Sequence, residues 1–134
     1  MATEAVGWAP GNRWFALGFN LAYNYSFDTI QIKLLPLPYF LAAKFDAFWD
    51  RGIKDVLASH DFEDIVYLFN YSINIVNEIL QSEHPVKEYL IECASNIIES
   101  KPIQEAIIGN LYYEAQEERF LMIMDKLHQL KKGA

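Results

Sequence analysis

The sequence predicts a mainly α chain, a helical bundle of about five to six helices with a small N-terminal β-hairpin. Two observations predict it. From residue 38 onward, apolar residues recur at helical spacing in successive segments, each bounded by a proline, a glycine or a capping residue. Before residue 38, the stretch Ile30-Gln31-Ile32-Lys33-Leu34 alternates with the period of a half-buried strand. At 134 residues the chain is long enough for one domain with a real core. That domain divides into residues 1–37 (short helix plus β-hairpin) and residues 38–134 (helical bundle).

The elements follow in order. NRWFALGF, residues 12–19, reads as a short helix with Asn12 as its N-cap and Gly18 near its end. The aromatic stretch ending at Tyr25 is expected to pair with the Ile30–Leu34 strand across a turn at Ser26–Asp28. Pro36 and Pro38 exclude a central strand, and Pro38 suits the first turn of a helix. That helix runs to Arg51, with Leu41, Phe45, Phe48 and Trp49 on one side and Gly52 as its stop. The next begins at Ser59 or His60 and carries Phe62, Ile65, Val66 and Phe69 at the spacing of a buried stripe. Ile73, Val76, Ile79 and Leu80 mark a third helix, and Pro85 opens a fourth with Val86, Leu90, Cys93, Ala94 and Ile97. Pro102 opens a short fifth that Gly109 closes, and Tyr112 and Tyr113 after it are expected to anchor in the core. Phe120, Ile123, Leu127 and Leu130 stripe a last helix ending at Lys132.

Composition narrows the function classes. The formal net charge of −7 repels a polyphosphate backbone, so stand-alone nucleic-acid binding is disfavoured. Hydrophobic residues make up 52% and aromatics 15%, a high share for so small a domain. Some apolar surface is therefore expected to need cover, from a homo-oligomer or another protein partner. A single cysteine, Cys93, rules out an internal disulfide and reads as a buried thiol. Met1–Gly11 carries neither the basic start nor the apolar stretch of a signal peptide, and no apolar run is long enough to span a bilayer. The expectation is a cytoplasmic protein without membrane contact.

The charged turn between the first two long helices carries the candidate site. Its plainest reading is capping. Arg51 and Lys54 complement a helix C-terminus, while Ser59 and Asp61 cap the next helix, with His60 filling the turn. Lys44 does not fit that reading, because it lies inside the helix beside the apolar stripe. Arg51 follows seven residues later on nearly the same face. Two such cations near Asp55 and Asp61, either of which can pair with Arg51, suit the holding of an anion such as a triphosphate.

The stretch LPYFLAAKFDAFWDRGIKDVLASHDFEDIV, residues 37–66, resembles a signature of bacterial nucleotidyltransferase-like proteins, the group of the AbiEii-type toxin nucleotidyltransferases. The matching residues are Pro38, Tyr39, Phe40, Leu41, Lys44, Arg51, Gly52, Asp55, Ser59, His60, Asp61, Glu63, Asp64 and Ile65. Upstream, GNRWF (residues 11–15) is similar to that family's Gly-Phe-Ser-Asn-Arg-Trp-Tyr segment, and the opening MATEA to its Met-Pro-Thr-x-Glu. The likeness is specific over 38–66, looser over 1–37, and after residue 70 no more than helical.

The resemblance implies the C-terminal helical part of a nucleotidyltransferase, truncated or used apart from its N-terminal catalytic half. Lys44 and Arg51 would contact nucleotide phosphate, supported by Asp55, Ser59, His60, Asp61 and Asp64. The family's Gly-Ser motif and paired metal-binding carboxylates have no counterpart here. No catalytic residue and no cofactor are therefore expected in this chain, and Mg²⁺ and NTP would belong with the missing half. The isolated chain is then expected to be inactive, and a link to a toxin–antitoxin pair is implied. If the family's sheet packs on the hairpin and first helix, its absence leaves Trp8, Trp14, Phe15, Phe19 and Tyr25 needing cover. The alternative is a non-catalytic interaction or oligomerisation module. Two other chemistries are weak. His60 and Asp64 share a helical face as metal ligands do, but Asp61 and Glu63 diverge from them. Adjacent Ser59, His60 and Asp61 do not converge as a hydrolytic triad must.

Overall fold

The computed structural model describes residues 12–133; the side chains of residues 25, 27 and 31–33 are not among those described, and Trp8 lies outside the described residues. The chain is a mainly α bundle with a two-stranded N-terminal hairpin. Helix α1 spans Arg13–Phe19. Asn12 Oδ1 caps it by accepting from the backbone N–H of Trp14 and Phe15 at 3.1 and 3.2 Å. The same side chain donates to the Ala43 carbonyl, 3.3 Å away, and so ties α1 to the bundle. Gly18 is where α1 comes closest. A Cβ there would sit 2.5 Å from the Tyr39 Cβ, so only glycine admits the contact.

Strand β1 (Tyr23–Phe27) pairs antiparallel with β2 (Ile30–Leu34), with Phe27 opposite Ile30. The turn is therefore Asp28–Thr29, not Ser26–Asp28 as the sequence suggests. Ser26 and Phe27 stay in the strand, and Asp28 takes the left-handed backbone, φ 58°, that short hairpin turns require.

Helix α2 (Leu37–Ala47) carries Pro38 in its first turn and widens into a π-helical turn over Phe48–Gly52. Leu41, Ala42, Ala43, Phe45 and Phe48 are all fully buried. An apolar surface on nearly every side makes α2 the central helix. It packs against α1 and against α3 (His60–Tyr71), α4 (Ile75–Leu80) and α5 (His84–Ile98). Short α6 (Lys101–Gly109), capped by Ser100, and long α7 (Gln116–Lys132) close the bundle. Phe62, Ile65, Ile79, Leu90, Ile97, Ile107, Ile123 and Leu127 complete the core. Lys126 on α7 satisfies the end of α3, its Nζ donating to the carbonyls of Phe69 and Ser72 at 2.6 and 3.1 Å. Burial, with Arg119 nearby, lowers the affinity of that amine for its proton.

The helical turns that extend α2 stop at Gly52, as expected. That residue also supplies room, since a Cβ there would lie 2.5 Å from Ser59 Oγ and 2.8 Å from Phe48 Cδ1. Two other expectations fail in detail. Ile73 precedes α4 and is 90% exposed, because α3 ends at Tyr71 and the connection turns it outward. Tyr112 and Tyr113 are 80% and 85% exposed, because Leu111 takes the buried place after α6.

Candidate functional site

The charged turn assembles around Asp61, which is buried at the start of α3. Arg51, on the π-helical turn, donates from Nε to Asp61 Oδ2 at 3.1 Å, and its Nη2 is also 3.1 Å from that oxygen. Lys44 Nζ comes from α2, 2.7 Å from Asp64 Oδ2 and 3.5 Å from Asp61 Oδ1. It also lies 5.6 Å from the Phe40 ring centroid. Lys44, Arg51, Asp61 and Asp64 thus form one group, as their helical spacing suggests. Two cations face two carboxylates, so the group as a whole is neutral. Its evident physical effect is to bridge α2 to the first turn of α3, where carboxylates also favour the helix dipole.

The other candidates stand apart. Ser59 is the cap of α3, its Oγ accepting from Phe62 N–H at 3.1 Å. Asp61, expected to cap that helix or to pair with Arg51, does the second. Asp55 is exposed before a 3₁₀ turn (Val56–Ala58), and its side chain caps nothing. His60 is 95% exposed in its side chain, with Nδ1 3.8 Å from Glu63 Oε1, too far for a hydrogen bond. Ser59, His60 and Asp61 therefore have three separate environments. Among the described residues, no group of three or more His, Cys, Asp or Glu side chains is arranged to hold a metal.

A second polar cluster lies nearby, and sequence reasoning missed it. Asp46, two residues after Lys44, accepts from the Tyr89 hydroxyl of α5 and from Arg13 Nε of α1, the latter at 3.3 Å. The Arg13 guanidinium stacks 4.5 Å from the Trp14 ring centroid and 4.9 Å from that of Tyr89. Beneath it, Trp49 Nε1 donates to Cys93 Sγ at 3.4 Å. Burial pushes the Cys93 thiol up to about 12 and, reinforced by Cys93 and Asp46, raises the Tyr89 phenol as well. Both stay protonated and unreactive near neutrality. The only local signal was Asp46 itself, an acid set among Phe45, Phe48 and Trp49.

The third feature is apolar. Trp14 and Phe15, expected to need a partner, are both buried, Trp14 within the core of the bundle. Phe19, of the same set, is exposed, and so are Leu17, Leu21, Tyr23 and Ile30, with Tyr23 at 54% and Ile30 at 58%. An open groove of about 410 Å³ runs from Tyr23 and Leu21 past Leu37 and Tyr39 to Glu78 and Glu83.

Against family models, curated proteins and solved structures, the chain finds no match. No helix of the described residues is long and apolar enough to cross a membrane.

Proposed function

We infer that this chain is a non-catalytic docking module that meets a protein partner through the α1–hairpin surface. The observation that carries the reading is the exposure of Leu17, Phe19, Leu21, Tyr23 and Ile30 within one short stretch. Apolar side chains gathered in this way mark interaction surfaces more often than scattered ones do. A photo-crosslinking amino acid placed at Tyr23 in living cells tests it, with the exposed Glu63 as control. Adducts of defined mass at position 23 and none at 63 are expected. Equal labelling at both positions, or none at 23, would overturn the reading.

A second reading follows the nucleotidyltransferase resemblance, with Lys44 and Arg51 holding NTP phosphate beside a catalytic half supplied elsewhere. What favours it is the convergence of these two cations on Asp61. Phosphate would have to replace the carboxylates of Asp61 and Asp64, both already paired. Residues 1–134 alone are then expected to transfer no nucleotide, but to gain thermal stability with Mg²⁺-NTP, a gain lost in Lys44→Ala. No shift at about 5 mM nucleotide would set this reading aside.

A further inference from the structure

The hairpin is unfinished as a sheet. A two-stranded ladder is marginal in water unless a further strand or a packed helix supports it. Here β1 and β2 pair only with each other among the described residues, and no described helix packs extensively on either. The register puts positions 23, 25, 27, 30, 32 and 34 on one face, and all are apolar or aromatic residue types. Positions 24, 26, 31 and 33 on the other face are all polar types.

The register also decides where the free backbone groups point. In a two-residue hairpin the closing pair, Phe27 and Ile30, exchanges its N–H and C=O groups inward. Alternation then turns the backbone of Asn24 and Ser26 outward on β1, and that of Gln31 and Lys33 outward on β2. Natural edges are commonly protected by a lysine or a proline. Strand β2 contains Lys33, whereas β1, Tyr-Asn-Tyr-Ser-Phe, has no charge and no proline. Among the described residues, the open, unprotected edge is β1.

We propose that β1 is a self-pairing edge, at which two copies join antiparallel about a twofold axis through Tyr25 to form a four-stranded sheet. This deepens the docking reading by naming a second copy as the partner. In that register Asn24 lies opposite Ser26 of the second copy, and the outward backbone groups of both bond. Positions 23 and 27 then face each other as an aromatic pair on the apolar face. Charge favours this partner and this end. Residues 12–38 contain only Arg13, Asp28 and Lys33, a net of +1, in a chain of −7. Contact through the bundles would press two acidic surfaces together, whereas contact at the hairpins does not. One strand edge is small beside the ~800 Å² per partner of a stable complex, so the dimer forms at about micromolar concentrations.

Sedimentation of the full chain over about 1–200 µM is expected to rise from 15.5 kDa toward twice that mass. Ser26→Pro removes an outward N–H without touching the β1–β2 ladder, and is expected to weaken self-association about tenfold or more. Gln31→Pro does the same on the other edge and should leave it unchanged. Tyr25→Cys, oxidised at a similar concentration, should give a disulfide dimer that Asn24→Cys does not, and this arm holds even if a proline variant misfolds. A mass of 15.5 kDa throughout overturns the proposal, as does a dimer sensitive to Gln31→Pro but not to Ser26→Pro. Adducts at Tyr23 to a different protein, from a chain that stays monomeric, overturn self-pairing while leaving the docking reading intact.

Discussion

Helix α2 carries two polar clusters whose anchors, Lys44 and Asp46, are two residues apart, and the two are built in opposite ways. The Lys44 cluster is local. All its members lie between residues 44 and 64, and Arg51 and Asp64 reach solvent while Asp61 between the two cations is buried. The Asp46 cluster draws on α1, α2 and α5, and it is roofed by aromatic rings. The Tyr89–Asp46 bond is partly buried, which makes its loss dearer, whereas Arg13 reaches solvent. The single acid ties three helices and the dense run of charge only two, so the first is expected to be the stronger structural device.

The sharpest way to break this ranking is to remove each carboxylate in turn. Asp46→Ala leaves Tyr89 and Arg13 without their acceptor, and is expected to cost about 2–3 kcal/mol in urea denaturation. Asp61→Ala is expected to cost about 1–2 kcal/mol, because Arg51 is largely solvated and Lys44 keeps Asp64. If Asp61→Ala proves the costlier, the charged turn is the main tie and the comparison reverses.

Alkali separates the clusters without mutation. The Cys93 thiol is raised from its ordinary 9.0 to about 12 in the fold. Below pH 9 both folded and unfolded chains hold the proton, and the full contribution to stability is present. Between 9 and 12 the unfolded thiol releases its proton first, so stability falls as pH rises. The raised Tyr89 phenol acts in the same direction from its ordinary 10.0 upward. A loss of about 1–2 kcal/mol from pH 9 to 10.5 is expected, with a shallower slope in Cys93→Ala. A flat profile in the unmodified chain would show that this region opens to water.

The contrast also explains what was legible in the sequence. Helices were readable because capping and stripes act within a few residues: Asn12, Ser59, Pro38, Pro85 and Pro102 sit where their chemistry requires. The meeting of Lys44 with Arg51 was readable because seven residues return to one helical face. Arg13, Asp46, Tyr89 and Cys93 were not, since only tertiary packing joins them and no periodicity encodes it. Exposure failed for a related reason. Trp14 and Tyr113 look alike as apolar aromatics, but the bundle covers the first and turns the second to solvent.

The smallest expected effects divide the charged turn itself. Ser59→Ala removes the acceptor for the Phe62 N–H and so leaves a helix donor uncapped, at a cost of about 1 kcal/mol. It also frees space beside Gly52, whose missing Cβ had kept Ser59 Oγ from a clash. Gly52→Ala should therefore be better tolerated in the Ser59→Ala background than alone, a coupling that a double-mutant cycle measures. His60→Ala and Asp55→Ala change stability by less than about 0.5 kcal/mol, since both side chains stand in solvent and neither caps a helix. If either costs as much as Ser59→Ala, that residue takes part in holding the turn, and the division between the Asp61 group and its exposed neighbours is drawn in the wrong place.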